Sequence, residues 1–169
     1  MAEQTPYFPL FIPLEGQRIV LIGAGKIAAR RTAALLPFGG SITVIAPDAC
    51  PELEALAAEG KIALLRREYR PGDMAGARLA IAASDCREAN RAAGEECRRL
   101  GIPVSVADCR EECTFYFPAI AAEGGVVAGL TASGEGHGLV KRLAARLRVL
   151  LPRLVLEESA VREGNVHGK

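Results

Sequence analysis

Several things the chain has little of narrow its function before any motif is considered. Only two histidines, His137 and His167, occur in 169 residues, so a prebuilt zinc site is short of ligands. Cysteine is present but unpatterned. Cys50, Cys86, Cys97, Cys109 and Cys113 are odd in number, form no CxxC pair and lack a secretory context, so they read as reduced thiols in or near the core rather than a disulfide framework. Neither sign of charge dominates: 21 basic and 20 acidic residues give a formal charge of +1. That balance removes any bulk electrostatic reason to seek nucleic acid or an acidic membrane surface. No apolar run approaches the ~18 residues of a membrane span. The opening Met1-Ala2-Glu3-Gln4-Thr5-Pro6 does not read as a secretory leader, so a cytoplasmic location is expected. Repeats and low-complexity tracts are also missing. What is present, 50% hydrophobic against 24% charged residues, excludes intrinsic disorder and predicts one domain, with room for a small appendage.

The chain then alternates short β-branched runs with helical patterns. An entry segment, Tyr7 to Leu14, is apolar but carries Pro9 and Pro13, and is expected as an extended arm packed on a sheet. Strands are predicted at 18–22, 41–46, 62–65, 78–83 and 102–107, with helices at 26–36, 51–59 and 87–100 between them. This order predicts an α/β fold, a Rossmann-type doubly wound parallel sheet with right-handed crossovers. The pattern changes after Asp108. Phe115-Tyr116-Phe117 and 126–131 read as strands with no helix between them, and a helix follows from about Leu139 to Leu156, ahead of a polar tail. The expected division is a nucleotide-binding domain over 1–112 and a small α+β dimerisation and helical segment over 113–169.

Gly23-Ala24-Gly25-Lys26-Ile27-Ala28 matches GxGxxA between the first strand and the first helix. Gly23 permits the tight turn, Gly25 lets the backbone approach a pyrophosphate, and Ala28 lets the helix pack closely on the strand. The helix N-terminus adds unpaired N–H groups and the positive end of its dipole. A tight turn without a ligand is the plain alternative, but its place in a five-strand α/β pattern favours a dinucleotide. The acid expected at the end of the second strand is displaced: Ala46-Pro47 stands there and Asp48 follows two places late. Arginine, which would favour a 2′-phosphate, is not there either. NAD is therefore expected over NADP.

Beyond the turn, YFPLFIPLEGQRIVLIGAGKIAARR, VIAPDACPELEALAAEGKIALLRREY, LAIAASDCREANR and IPVSVADCREECTFYFPAI agree in order and spacing with one family. Over roughly residues 7–150 the chain resembles the precorrin-2 dehydrogenases, which include the dehydrogenase/ferrochelatase module of siroheme synthases. The resemblance implies NAD-dependent oxidation of precorrin-2 to sirohydrochlorin, iron insertion in some members, and a homodimer built through the segments after the Rossmann domain. It implies cofactor contacts at Lys26, Ile27, Pro47 and Asp48, and a catalytic carboxylate at Asp108. Chemistry agrees with the last of these, because ligands of open α/β sheets lie beyond the strands' carboxyl ends. A carboxylate partly desolvated against a large apolar macrocycle becomes a better proton acceptor. The alternative is that Asp108 only closes a turn.

A polycarboxylate tetrapyrrole needs cations around its cleft. The last helix carries Lys141, Arg142, Arg146, Arg148 and Arg153, while Leu139, Leu143, Leu147, Leu150, Leu151 and Leu154 are spaced for burial. A solvated helix face explains such arginines equally well; Arg142 and Arg146 are the candidate substrate contacts. Thr131, Ser133 and His137 join them from the loop that resembles the family's serine/threonine-glycine-glycine-x-serine-proline segment. That loop departs from the family in two places, with Ala132 for the second hydroxyl and Gly136-His137 for the Ser-Pro. Asp108, Cys109, Cys113 and His137 would be the ligands for an inserted iron, although no resident metal is expected. The competing function is a non-catalytic NAD- or tetrapyrrole-binding carrier or sensor on the same fold.

Overall fold

The computed structural model describes residues 6–132 and 136–166, with backbone only for His137 and for 161–166. It divides into two compact units: one spans Phe11–Tyr116, and the other holds the described residues up to Leu10 and those from Phe117 onward. The division falls a few residues beyond the boundary expected at 112.

The first unit is a five-stranded parallel sheet in the order β3-β2-β1-β4-β5. Its strands are β1 (Arg18–Ile22), β2 (Ser41–Ile45), β3 (Ala63–Leu65), β4 (Leu79–Ala82) and β5 (Val104–Val106). Between them run α1 (Lys26–Leu35), α2 (Pro51–Ala58) and α3 (Arg87–Leu100). The three inner strands are buried almost throughout, which is why Ile19–Ile22, Val44-Ile45 and Leu79–Ala82 read as continuous apolar runs rather than alternating ones. Helix α3 shows the opposite pattern: Asn90, Ala93, Gly94, Glu96 and Cys97 are buried along one stripe and charges occupy the rest. Glu96 is satisfied there by Tyr69 Oη at 2.6 Å and the Gly72 N–H at 2.9 Å. Burial beside that carboxylate pushes the Cys97 thiol up to about 12, so this cysteine is inert packing.

In the order 3-2-1-4-5 the chain reverses direction across the sheet between β1 and β4. The resulting crevice lies beyond the carboxyl ends of those strands. The registers bring the ends together: Ile22 pairs with Ile45 on one side and Ala82 on the other, and Ala82 pairs with Val106.

In the second unit, β6 (Ala119–Glu123) and β7 (Val126–Leu130) form an antiparallel hairpin against α4 (His137–Val166). Gly124 and Gly125 close the hairpin at φ +54° and +81°, the doubly left-handed turn that glycine accepts. Arg148 Nε donates to the Ile120 carbonyl at 2.9 Å.

Four local expectations are corrected. Phe115-Tyr116-Phe117 is not a strand: the Thr114 and Phe115 N–H groups both donate to the one Val104 carbonyl, and Pro118 lacks the donor that would carry a ladder on. The partner of β7 is instead Ala119–Glu123, whose alanines carry little β-propensity. The arm over 6–13 has no helix, yet Phe8 (89% exposed) and Leu10 (78%) are not packed on a sheet; burial begins at Leu14. Finally, the leucine stripe of α4 is not its buried face. Ala144 and Leu151 are buried, while Leu139, Leu143, Leu150 and Leu154 are exposed, because a two-stranded hairpin covers only a narrow strip of helix. That helix also runs through Pro152 to Val166, well past the expected end at Leu156.

Candidate active site

The glycine turn sits at the reversal between β1 and β4. Gly23 has φ +89°, and its N–H donates to the Ile45 carbonyl at 2.9 Å. A Cβ on Gly23 would lie 2.4 Å from the Ala83 carbonyl oxygen, so the backbones after β1 and β4 approach this closely only around glycine. Gly25 caps α1 in ordinary extended geometry, φ −85°, and a Cβ there would meet nothing within 4 Å. Next to it the first turn of α1 carries no acidic residue, leaving the amide donors and the helix dipole to an anion. Ala28 is fully buried under the turn. The Ala24 carbonyl accepts the Cys50 N–H at 3.0 Å, which draws the loop after β2, with exposed Pro47 and Asp48, to the same place. Lys26 and Ile27 are exposed at the mouth of the helix. This open, amide-lined cradle fits a dinucleotide pyrophosphate.

Gly25→Ala is expected to cost only about 1 kcal/mol of stability, the loss of a good N-cap residue, since the new methyl meets no protein atom. It should cost about 1–3 kcal/mol of dinucleotide binding, where the methyl obstructs the phosphates. Thermal melting and a nucleotide titration on the same sample check both halves.

Asp108 lies just past β5, and the Ala107 N–H donates to the Ala82 carbonyl at 2.8 Å, holding the segment against β4. Its Oδ2 accepts from Asn90 Nδ2 at 2.9 Å. Asn90 is wholly buried, and the same Nδ2 donates to the Ser84 carbonyl at 2.8 Å while Oδ1 accepts the Ser84 N–H at 2.9 Å. One buried carboxamide thus ties the loop after β4 to the carboxylate after β5. Asp108 Oδ1 stands 3.8 Å from Arg87 Nη1, and the side chain is 36% exposed, so it is oriented yet accessible. The other terminal nitrogen of Arg87 binds Glu112 and holds that carboxyl below the usual range. Asn90 and Arg87 went unnoticed in the sequence. The available signal was an asparagine at the i position of the buried stripe Ala93, Gly94 and Cys97, where a polar residue needs buried partners.

Asn90→Ala strands the Ser84 backbone groups and frees Asp108, and is expected to cost on the order of 3 kcal/mol of stability. Denaturant unfolding measures it. A loss under 1 kcal/mol would mean that water replaces the carboxamide.

Exposed Thr131, Arg142 and Arg146 belong to the second unit. Ser133 and the side chain of His137 lie outside the described residues. Among the described residues no group of three His, Cys, Asp or Glu side chains is placed to hold a metal ion, and no helix is long and apolar enough to cross a membrane.

A profile for a family described as putative NAD(P)-binding matches residues 10–119, from the entry arm to the first residue of β6. The chain belongs to this NAD(P)-binding family. The matched stretch contains the glycine turn, the loop after β2 and Asp108, so the cofactor class is a nicotinamide dinucleotide. Among similar proteins, a probable multifunctional siroheme biosynthesis protein HemA of Ruminiclostridium josui is 42% identical over 142 residues, 83% of this chain and 28% of that protein. A siroheme synthase of Pseudomonas putida strain F1 is 37% identical over 146 residues, 86% of this chain and 32% of its own length. The chain thus spans about a third of these curated relatives. The solved structure of SirC, precorrin-2 dehydrogenase, matches with a TM-score of 0.69 and 23% identity, over 83% of this chain and 69% of that one, and has the same fold.

Proposed function

We propose that this NAD(P)-binding protein is a precorrin-2 dehydrogenase that uses NAD+ to oxidise precorrin-2 to sirohydrochlorin on the route to siroheme. The observation that carries this reading is the alignment, along one sheet edge, of an open phosphate cradle at Gly23–Ile27 and an accessible carboxylate at Asp108 held by a buried asparagine. The names of the siroheme relatives and of SirC support the substrate class.

When bound at this cradle, a nicotinamide supplies the hydride acceptor. The chain supplies the rest. The amides at the start of α1 bind the diphosphate, and Pro47 and Asp48 meet the adenosine ribose. Asp108 takes the proton released as the macrocycle is oxidised. Asn90 occupies Oδ2 and orients the carboxylate, which leaves Oδ1 for that proton. Thr131, Ser133, His137, Arg142 and Arg146 form the proposed contacts to substrate carboxylates, for which hydroxyl and guanidinium donors are suited.

The proposal includes a cytoplasmic homodimer. Exposed Leu139, Leu143, Leu150 and Leu154 recur on one face of α4, with exposed Phe8 and Leu10 in the same unit, an apolar surface that a second copy would cover. Anaerobic incubation with precorrin-2 and NAD+ tests the activity, with sirohydrochlorin absorbance and NADH followed together. One NADH per sirohydrochlorin is expected. Macrocycle binding without NADH would make the protein a carrier.

A further inference from the structure

The end of β3 brings beside β2 an arginine that the linear sequence hid. β3 runs beside β2 with Leu65 opposite Ile45, and the Ala46 N–H donates to the Leu65 carbonyl at 3.1 Å. Arg66 therefore emerges next to Ala46-Pro47-Asp48, the stretch that meets the adenosine ribose in this fold. An arginine here is the usual partner of a 2′-phosphate, and by position alone it would favour NADP+. Two of its five N–H donors, however, are already engaged. Nη1 donates to Glu54 Oε1 at 2.6 Å and Nη2 to Glu54 Oε2 at 2.5 Å, a two-bond fork from the first turn of α2. Both Glu54 and Asp48 act on this guanidinium, raising its pKa and placing two negative charges around one positive.

We infer that Glu54 is a specificity-determining residue of the nucleotide site: by neutralising Arg66 and holding one N–H of each of its terminal nitrogens it weakens that cation's hold on a 2′-phosphate and favours NAD+. The inference rests on the function proposed above and adds the residue that selects the cofactor. A 2′-hydroxyl needs no cation and can meet Asp48. A 2′-phosphate entering the same place would find a neutralised arginine flanked by two carboxylates.

The full chain is titrated calorimetrically with NAD+ and with NADP+, as wild type, Glu54→Ala and Glu54→Ala/Arg66→Ala. The pair is exposed, so melting temperatures should barely move. The wild type is expected to favour NAD+. In Glu54→Ala the ratio of the two dissociation constants should shift about tenfold toward NADP+, the scale of one charge-assisted contact to a freed guanidinium. Removing Arg66 as well should reverse the gain, and added salt should shrink it. An unchanged ratio in Glu54→Ala, a gain that survives loss of Arg66, or a wild type that already binds NADP+ as tightly as NAD+ overturns the inference and leaves the dehydrogenase reading standing. Binding of neither nucleotide by the wild type overturns both.

Discussion

Asp108→Asn is expected to reduce the proposed precorrin-2 oxidation by about 10²–10⁴-fold while the protein still folds and binds the dinucleotide. The substitution is nearly isosteric. Its amide oxygen can still accept the Asn90 Nδ2 hydrogen that Oδ2 accepts at 2.9 Å, so the buried link from Ser84 through Asn90 survives. What disappears is the ability to accept a proton at Oδ1, the oxygen that Asn90 leaves free. The Arg87 contact at 3.8 Å is half exposed to water, and its loss should cost at most about 1 kcal/mol. The loss should therefore appear in kcat, with dinucleotide affinity and melting temperature close to wild type. Turnover within about threefold of wild type would remove Asp108 from the chemistry. In that event the carboxylate only closes the turn after β5.

Gly23→Ala is expected to have the largest effect on stability of any single methyl added to the site. Two costs combine. A residue with a Cβ at φ +89° pays about 1–2 kcal/mol for the left-handed backbone. The methyl would also lie 2.4 Å from the Ala83 oxygen and 2.6 Å from Ser84 Cα, backbone atoms that cannot swing away like a side-chain tip. Prying β1 from β4 should cost about 1–3 kcal/mol more. The sum, on the order of 4 kcal/mol, corresponds to a fall in melting temperature of about 10 °C for a chain of this size. Dinucleotide binding should fall with it, because the turn and the loop after β4 move together. Gly25→Ala is the control: the same chemical change two residues on meets open space, so it should cost binding but only about 1 kcal/mol of stability. If Gly23→Ala melts like the wild type, the close approach at the reversal is not what requires glycine.

The sequence by itself determined the parallel sheet and the glycine turn, because both depend on local chemistry. Buried parallel strands must be apolar on both faces, so Arg18–Ile22 and Leu79–Ala82 announce themselves as short continuous runs. A glycine turn between strand and helix requires small residues at set intervals, so Gly23, Gly25 and Ala28 could be given roles directly. Asp108 was legible as a candidate because it directly follows a strand, and ligands gather at that end of such sheets. Tertiary structure decided what depends on neighbours distant in the chain. Ser84 and Asp108 meet through Asn90 only because β4 and β5 are paired in register. Arg66 comes beside Asp48 only because β3 lies parallel to β2, and Glu54 captures it from a helix between them. Packing also overruled periodicity in the second unit, where the apolar stripe of α4 was plain but the hairpin buried Ala144 and Leu151 instead. Periodicity shows that a helix has an apolar face; which surface covers it depends on the area its neighbours offer.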